Sequence, residues 1–557
     1  MSMFCHQCQE TAMNTGCSMK QGICGKKDEV ANLQDLFIWV LKGISFWATK
    51  GSQIGIYDED IASFVANGLF TTITNANFSK TDFLNYISKG LEHRDTLKKV
   101  VLDSWRSSYG SDFNSAIPEC ALWKADDSVV IEKKASAGTG GWLEIADENI
   151  RSLKALVLYG LKGMSAYLEH GFQIKRGGKE LFLFIMQALS ELVDESKSQD
   201  ELIALVLKTG EMGVATMKYL DEANAHYGEQ EITEVSTGVR DNPGILISGH
   251  DFVDLEELLN QSTNAGVDIY THSEMLPAHY RPFFKKYNHL AGNYGNAWYL
   301  QKEEIEKFNG PVLFTSNCLV PPKVETNDRI FTTGPVGFEG CRHIPDRPRG
   351  GHKDFSPIIN MAKSCKPPQE IENGKIIGGF GHGQVLALAD KVVAAIKAGK
   401  IKRFIVMAGC DGRHKTRSYF TEVAKKLPKD TVILTAGCAK YKYNKLNLGD
   451  IDGIPRVLDA GQCNDSYSLA VVALELQKVF KANDINDLPI SFDIAWYEQK
   501  AVLVLLALLS LGFKGIRIGP TLPGFLSPAV AGILVNAFNL KLISTPEDDI
   551  KDMMAGN

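Results

Sequence analysis

The sequence has no long apolar run, no excess of one charge and no export signal. The longest apolar stretch, Ala501 to Leu511, is far shorter than the roughly 20 residues that a membrane-spanning helix needs. The formal net charge of −6 provides no polybasic face for nucleic acid or anionic lipid. The first residues, MSMFCHQCQE, lack the basic and apolar regions of a signal peptide. We therefore expect a cytoplasmic protein that binds neither membranes nor nucleic acids.

The sequence also lacks a dinucleotide-binding fingerprint. The glycine-rich run from Gly378 to Gly383 precedes a predicted helix and can cradle an anion at the helix N-terminus. It does not have the GxGxxG spacing, and no suitable acidic residue follows about 20 positions later. A nicotinamide or flavin site within this chain is therefore not expected.

Cysteine is plentiful instead, with eleven residues, four of them near the start of the chain: Cys5, Cys8, Cys17 and Cys24. An odd number of cysteines in a chain that is not exported argues against a disulfide framework and for ligand or catalytic thiols. Thiolates are soft ligands, and four of them on short loops form a cage for an iron–sulfur cluster or zinc without requiring a core.

The pattern of apolar residues divides the chain near residue 240. From about residue 30 to 228 the apolar residues recur at helical spacing, which predicts a helical half. The runs Leu36–Ser45 and Leu156–Ser165 resemble each other at an offset of 120 residues, which indicates a duplication and two successive helical bundles. Residues 110 to 145 are rich in Ser, Gly, Asp and Pro and are predicted to connect the bundles.

Beyond residue 240, short β-branched runs alternate with helical stretches. Such alternation predicts parallel βαβ sheets that are buried on both faces. The proline- and glycine-rich segment from about 345 to 375 predicts a boundary between two such units. The expected fold is therefore multidomain α and α/β, with a helical domain at residues 1–235 and α/β domains at 236–365 and 366–557.

Seven side chains of metal-ligand type come shortly after the predicted strands. They are His250, Glu274, Cys318, Cys410, Cys438, Cys463 and Glu498. In open α/β sheets the ligand crevice lies outside the carboxyl ends of the strands, so these side chains are expected to converge. A mixed set of sulfur, nitrogen and oxygen ligands favours a cluster that does chemistry, since histidine and carboxylate are more labile ligands than thiolate. Zinc fits less well, because structural zinc usually has four close ligands in paired spacings.

Several longer motifs carry a resemblance to a known family. They include FCHQCQET around Cys5 and Cys8, GILISGH at His250, YTHSEMLP at Glu274, TSNCLVP at Cys318, and four more at AGCDGR, TAGCAKY, GQCND and WYEQK. The sequence resembles the hybrid cluster protein family, also called the prismane family, from end to end. The resemblance implies a helical N-terminal domain followed by two Rossmann-like α/β domains with parallel sheets.

The resemblance also implies two cofactors. Cys5, Cys8, Cys17 and Cys24 would bind a [4Fe–4S] cluster. A hybrid [4Fe–2O–2S] cluster would be held by His250, Glu274, Cys318, Cys410, Cys438, Cys463 and Glu498. In the family the cysteine matching Cys410 can carry a persulfide, a modification that a sequence does not show.

The sequence departs from the usual family pattern in the spacing of its first four cysteines, which is C-x2-C-x8-C-x6-C. The eight-residue gap resembles the family class with a [4Fe–4S] centre, although the last gap is one residue longer than usual there. A related class with an eleven-residue gap carries [2Fe–2S] instead. The intact helical region argues against a shorter class that lacks much of it. We expect the [4Fe–4S] class.

The activity implied by the resemblance is reduction of hydroxylamine to ammonia and water. Cleaving the N–O bond requires an acid near the iron, and Lys500 in the WYEQK motif is the predicted donor, with Glu498 and His250 exchanging between ligand and acid–base roles. Alternatives are a nitric oxide reductase or scavenger in nitrosative stress, and a non-catalytic redox or nitrosylation protein. Carbon monoxide dehydrogenase shares the domain plan, but its nickel-site ligand pattern is not found here.

The expected partners are a small nitrogen-oxide substrate and a separate electron donor, ferredoxin-like or a flavin reductase, that reaches the chain through the N-terminal cluster. The chain is expected to be a monomer. The remaining cysteines, Cys120, Cys341 and Cys365, match no ligand motif and are predicted to be packing or loop residues. His6 is predicted to lie behind the ligands or to face solvent, and His272 and His279 are predicted either to orient ligands or to be satisfied loop histidines.

Overall fold

The computed structural model describes residues 2–348 and 351–556. Met1, Arg349, Gly350 and Asn557, which the predicted domain ranges or boundary include, lie outside the described residues. Seven α-helices lie in the first half of the described chain: α1 (Asp28–Ser52), α2 (Glu59–Thr71), α3 (Lys80–Tyr109), α4 (Ser128–Ser136), α5 (Glu148–Ile174), α6 (Lys179–Glu191) and α7 (Gln199–Asn224).

The second half alternates strands and helices. The helices are α8 (Phe252–Ser262), α9 (Gln301–Phe308), α10 (Ser356–Lys363), α11 (His382–Ala387), α12 (Ala389–Lys397), α13 (Ser418–Lys426), α14 (Ser466–Phe480), α15 (Gln499–Ser510), α16 (Pro528–Phe538) and α17 (Pro546–Ala555). The first eight strands are β1 (Thr233–Ser236), β2 (Gly244–Ser248), β3 (Asp268–His272), β4 (Leu290–Asn293), β5 (Val312–Phe314), β6 (Ile330–Thr332), β7 (Arg342–His343) and β8 (Lys375–Gly378). The others are β9 (Arg403–Val406), β10 (Thr431–Thr435), β11 (Asp450–Ile451), β12 (Ile454–Pro455), β13 (Val457–Asp459), β14 (Ile490–Ala495), β15 (Ile516–Gly519) and β16 (Lys541–Leu542).

Several helices of the first half begin at a residue whose side chain satisfies a free backbone N–H. Asp58, Ser79 and Asp127 each accept a hydrogen bond from the amide three residues further along α2, α3 and α4. Ser198 forms a reciprocal capping box with Glu201 at the start of α7. Such caps stabilise a helix end by about 1 kcal/mol each. These caps explain where α2, α3, α4 and α7 begin within the predicted helical half.

The two longest repeated helices, α1 and α5, begin at Asp28 and Glu148, which are 120 residues apart as the repeat predicts. The halves are not two separate bundles in succession, however. The short helix α2 packs on α5 of the other half, and α6 packs on α1. The prediction of successive bundles therefore needs the correction that the two repeats interlock.

Each α/β unit contains a six-stranded sheet whose strand pairs are all parallel. One sheet has the order β4-β3-β2-β5-β6-β7 and the other β13-β10-β9-β14-β15-β16. The prediction of parallel α/β sheets is confirmed. The edge strands β4, β7 and β16 were not predicted, because they are only two to four residues long and contain no β-branched run.

Two segments that were predicted as connections contain structure. Residues 110–145 include helix α4, and residues 345–375 include helix α10, which packs near β2. An antiparallel pair of β1 with β8 brings the chain at residues 233–236 beside residues 375–378. The three domain ranges stay a prediction. Among the described helices, none combines the length and the apolar composition that crossing a bilayer would demand.

Helix α15 connects the C-terminal sheet to the helical half. It follows β14 and packs against both α5 and α7. The contact is close because glycines face it: a Cβ on Gly210 would lie 2.2 Å from the carbonyl oxygen of Leu506, and one on Gly163 would lie 2.6 Å from that of Gln499. The start of α15, directly after Glu498, is thereby fixed in position.

Candidate metal centres

All seven predicted ligands of the distributed set line one cavity. They come from seven different loops: His250, Glu274, Cys318, Cys410, Cys438, Cys463 and Glu498. Trp298, Gly409 and Tyr497 complete the lining. Residues that lie up to 248 positions apart in sequence thus meet at a single place between the two sheets.

The convergence follows from the topology of the sheets. The first three ligands come after β2, β3 and β5, and the other four come after β9, β10, β13 and β14. Parallel strands present their carboxyl ends at the same edge of a sheet, which is where α/β proteins place their ligands. The cavity therefore lies where the carboxyl edges of the two sheets face each other.

Two glycines allow the loops that carry cysteine ligands to approach closely. Gly409 has φ +107°, and a Cβ there would lie 2.0 Å from the carbonyl oxygen of Ala495. Gly437 has φ +86°, and a Cβ there would lie 2.4 Å from the carbonyl oxygen of Gly409. Any other residue would push apart the loops of Cys410 and Cys438, so the glycine preceding each cysteine is required for the site.

His250 is held in the orientation that a ligand needs. Its Nδ1 lies 2.7 Å from Ser316 Oγ, which leaves Nε2 facing Cys463 Sγ at 3.6 Å and Glu274 Oε2 at 3.7 Å. Burial and the nearby Lys500 charge hold the pKa of His250 well below its usual range. A neutral imidazole with one nitrogen fixed by a hydrogen bond is the usual state of a metal-binding histidine.

Glu274 is a buried carboxylate with one oxygen that accepts no hydrogen bond. Its Oε2 accepts a 2.9 Å hydrogen bond from the backbone N–H of Cys463, whereas its Oε1 has no hydrogen-bond partner among the residues that the structure describes. Burial raises the pKa of Glu274. A buried oxygen without a partner costs free energy, so this atom is suited to bind a cation. The ligand atoms of His250, Glu274 and Cys463 all lie within 4.8 Å of one another.

The four thiols of the cavity are free and desolvated. Burial raises the pKa of Cys318 and Cys438 well above the usual value, and it raises that of Cys463 to about 12. Polar groups contact two of the sulfurs: Ser273 Oγ lies 3.3 Å from Cys438 Sγ, and Asn317 Nδ2 donates to Cys318 Sγ at 3.3 Å. Buried thiols with raised pKa values keep their protons at neutral pH. They lose these protons when they bind a metal, because thiolate is the ligand form.

Lys500 places a buried positive charge beside the cavity. Its Nζ lies 3.1 Å from His250 Nε2, donates to Asn317 Oδ1 at 2.8 Å, and is 3.9 Å from Glu498 Oε1. Burial opposes the charge, but Cys463 and Glu498 outweigh it and raise the pKa of Lys500. The ammonium group therefore keeps its proton at neutral pH.

The N-terminal cysteines form a second group. Cys5 and Cys17 pair through their backbones, and a Cβ on Gly22 would lie 3.7 Å from both the Cys17 and Cys24 sulfurs. Burial and the neighbouring thiols of Cys24 and Cys5 raise the pKa of Cys8 well above its usual value. All four are free thiols, as expected for ligands and not for a disulfide framework. The sequence-predicted set is thus together in space.

Both groups fit the cofactors that the sequence implies. Four thiols on one short loop suit an iron–sulfur cluster, and the backbone N–H of Ala12 points at Cys17 Sγ at 3.5 Å, a contact of the kind that tunes such clusters. The seven-membered set offers four thiols, one imidazole and two carboxylates around one cavity. This donor set suits iron bound to both sulfur and oxygen better than a closed tetrahedral zinc site.

Comparison with known proteins identifies the family of this chain. A family model described as "Prismane/CO dehydrogenase family" matches residues 3–551. The chain belongs to the prismane/CO dehydrogenase family. Among curated relatives, a hydroxylamine reductase from Nitratidesulfovibrio vulgaris is 60% identical over 557 residues, covering 100% of both chains. A hydroxylamine reductase from Halothermothrix orenii is 56% identical, again over 100% of both chains.

Solved structures share the fold of this prismane-family chain over nearly its whole length. Carbon monoxide dehydrogenase IV from Carboxydothermus hydrogenoformans has a TM-score of 0.56 at 15% identity, over 99% of this chain and 92% of that one. A carbon monoxide dehydrogenase from Thermococcus sp. AM4 has a TM-score of 0.53 at 16% identity, over 99% and 90% of the two chains. At this identity the likeness shows a shared fold alone.

Sequence reasoning missed the residues of this prismane-family chain that orient the ligands. Gln462 Nε2 donates to the carbonyl oxygens of His250 (3.1 Å) and Glu274 (2.9 Å) and so joins the two sheets at the cavity. Ser316 fixes His250. Their only signal is position, since Gln462 and Ser316 lie within the motifs of Cys463 and Cys318.

The remaining candidates lie outside the cavity lining. Cys120 is buried and Cys341 and Cys365 are partly exposed, and none of the three lines the cavity. His6 is buried with Nδ1 2.8 Å from Tyr159 OH, so of the two predicted alternatives it does not face solvent. His272, the last residue of β3 and not a loop residue, lies between Ser248 Oγ and Glu304 Oε2, and His279 contacts Thr271 Oγ1, so both histidines have hydrogen-bond partners.

Proposed function

We propose that the protein is an iron–sulfur oxidoreductase that reduces hydroxylamine to ammonia and water. The observation that carries the proposal is the convergence of seven soft and hard ligand side chains on one cavity between the carboxyl edges of two parallel sheets. The full-length relatives named hydroxylamine reductase support the choice of substrate.

Two sets of residues would hold the cofactors in this proposal. Cys5, Cys8, Cys17 and Cys24 would hold a [4Fe–4S] cluster. The cavity set, which consists of His250, Glu274, Cys318, Cys410, Cys438, Cys463 and Glu498, would hold a hybrid [4Fe–2O–2S] cluster. When bound, the two groups supply the reducing electrons and an iron that exchanges its ligands.

Hydroxylamine reduction consumes two electrons and two protons for each molecule of ammonia and water released. A proton has to reach the oxygen that departs. Lys500 Nζ carries a proton beside the cavity, and its contact with His250 Nε2 connects it to a second group that could hold one when that nitrogen is not bound to metal. Asn317 Oδ1 keeps the ammonium pointed at this position.

Glu498 combines two tasks at the start of α15. Its side chain accepts a hydrogen bond from the backbone N–H of Lys500 at 2.9 Å, which caps the helix and links the carboxylate to the proton donor. Glu274 is held by the Cys463 backbone on one oxygen only. Both carboxylates are buried, and burial raises the pKa of each. We infer that Glu498, whose carboxylate accepts from the backbone of Lys500, moves protons as well as binding metal.

The test is hydroxylamine turnover by anaerobically reconstituted protein with reduced methyl viologen as the donor. Oxidation of two viologens per ammonia formed supports the reductase, and binding without turnover would favour a non-catalytic redox or nitrosylation protein. The same assay is run with nitric oxide as the substrate. A higher kcat/KM for nitric oxide than for hydroxylamine would favour the nitric oxide reductase or scavenger.

Glu274→Ala sharpens this test. Turnover should fall at least about ten-fold, an order typical for removal of groups at metal sites. The exposed Glu325→Ala is the matched control and should retain activity. Normal turnover in a Glu274→Ala protein of verified iron content would contradict both the ligand assignment and the reaction proposed for the cavity.

A further inference from the structure

The loop that carries the N-terminal cysteines exposes apolar side chains to an unusual degree. Met13 is 92% exposed, Met19 70% and Ile23 54%, and each lies within four residues of Cys17 or Cys24. Cys24 itself is only partly buried. Single exposed apolar residues are common, but several on one short loop around a cysteine group indicate a surface that binds a partner.

Two further loops lie against this one and extend the surface. A Cβ on Gly25 would lie 2.9 Å from Pro321 Cγ, so the loop of Pro321 contacts the cysteine loop, and Val324 on it is 89% exposed. On the other loop, the Arg413 guanidinium lies 3.5 Å from the carbonyl oxygen of Ile23. Three loops therefore form one continuous face around Cys24.

The face carries two exposed lysines and, beside Val324, the exposed carboxylate of Glu325, a small excess of positive charge in a chain that is acidic as a whole. Lys20 and Lys415 are exposed on its loops, and within residues 2–348 and 351–556 neither has a carboxylate oxygen within 4.0 Å. Arg413 adds a third cation, which pairs with Glu10 at 2.6 Å. The net charge of the whole chain is −6. An apolar centre with a charged rim is the usual composition of a transient protein interface.

We propose that this entry face, formed by Met13, Met19, Lys20, Ile23, Val324 and Lys415, docks a small acidic electron-carrier protein of the ferredoxin type. The inference rests on the proposed function and extends it by naming the surface residues that the electron donor contacts. In each encounter the carrier loses one electron and the N-terminal centre gains it, so two encounters supply one hydroxylamine. A second copy of this chain is disfavoured as the occupant, since the exposed Lys20 and Lys415 of the two copies would repel each other.

The charge of the face gives a test with a matched control. The unmodified protein, Lys20→Glu/Lys415→Glu and the control Lys429→Glu/Lys514→Glu are compared as reconstituted proteins; the control lysines are exposed on other loops. The donor is a chemically reduced bacterial ferredoxin of negative net charge. The entry-face variant should show an about ten-fold lower kcat/KM for ferredoxin, and the difference should shrink as salt is added.

Methyl viologen separates docking from chemistry. Viologen-driven hydroxylamine turnover should be equal in all three proteins, because a small donor needs no docking face. A second pair, Met19→Asn and the exposed Val535→Asn on α16, tests the apolar part, and only Met19→Asn should raise the KM for ferredoxin.

Failure of the docking face and failure of the proposed function give different results. Unchanged kcat/KM for ferredoxin in the Lys20→Glu/Lys415→Glu protein, or no reduction of the unmodified protein by ferredoxin, would overturn the docking face while viologen turnover leaves the proposed function intact. Absence of viologen turnover in the unmodified protein would remove the proposed function instead. In that case calorimetric binding of oxidised ferredoxin still decides whether the face docks it.

Discussion

The backbone N–H of Gln9 donates a 2.9 Å hydrogen bond to the carbonyl oxygen of Tyr497. Gln9 follows Cys8, and Tyr497 precedes Glu498. One hydrogen bond therefore joins the chain at a cysteine of the N-terminal group to the chain at a carboxylate of the cavity. This is a short through-bond connection between two groups that lie almost 500 residues apart in sequence.

Arg417 stabilises this connection by hydrogen bonds to the chain on both sides of it. Its buried guanidinium donates to Gln9 Oε1 at 2.9 Å and to the carbonyl oxygens of Trp496 (2.6 Å) and Cys410 (3.3 Å). Arg417→Met should lower the free energy of unfolding by about 2 to 3 kcal/mol, since three carbonyl-type oxygens lose a charged donor. Electron exchange between the N-terminal and cavity centres should slow, as read by rapid-freeze EPR. The exposed Arg413→Gln should leave this rate unchanged; an equal slowing in both variants would contradict the role of Arg417.

The segregation of the two cysteine groups predicts separable centres. Cys8→Ser should abolish the EPR signal of the N-terminal centre and leave that of the cavity largely intact, because no cavity ligand lies on the N-terminal loop. The measurement is EPR of the reduced protein together with circular dichroism to verify folding. Loss of both signals from a folded protein would show that the two centres are interdependent.

The close contact of α7 with α15 predicts an effect of packing on the site. Gly210→Ala places a Cβ where only 2.2 Å separates it from the Leu506 carbonyl oxygen, so α15 must shift at a cost of about 2 kcal/mol or more. Because α15 begins after Glu498, hydroxylamine turnover should fall together with the melting temperature. The control is Gly532→Ala in α16, where no atom lies within 4 Å, and this change should be neutral or slightly stabilising.

Asp493 predicts a pH dependence of stability. Burial, with the Asp549 charge adding to it, raises the pKa of Asp493 to about 7. Folding therefore takes up a proton between the unfolded pKa of 3.8 and about 7, and stability falls as pH rises through this window. Asp493→Asn should raise the free energy of unfolding at pH 8 by about 2 kcal/mol or more and change it little at pH 4. The exposed Asp103→Asn should show no such difference, and a pH-independent effect of Asp493→Asn in urea titrations would be evidence against a buried proton.

The convergence of the seven predicted side chains on one cavity could be predicted from the sequence. Buried parallel strands such as β2 and β10 carry strong β-branched runs, and the ligands follow them at the edge where strands of this type end. Glycine before Cys410 and Cys438 completes the signal. Gln462 could not be predicted, because its role depends on bridging carbonyl groups of His250 and Glu274 on the opposite sheet.

The interlocked helices could not be predicted either. The apolar faces of α2 and α6 are compatible with any long helix nearby, and only the shape of the whole assembly places α2 on α5. Helix α4 escaped prediction for a different reason. It buries only Ile131 and Ala135, so it lacks the apolar stripe that marks the longer helices, and its cap at Asp127 is a weak signal alone.

The central claim is that one chain holds two different iron–sulfur centres, one at the N-terminal cysteines and one in the cavity. It is tested most directly by iron and acid-labile sulfide analysis of anaerobically purified protein, combined with EPR of the same sample. The account predicts about eight irons per chain in two spectroscopically distinct centres, four at each site. About four irons in a single centre would contradict it.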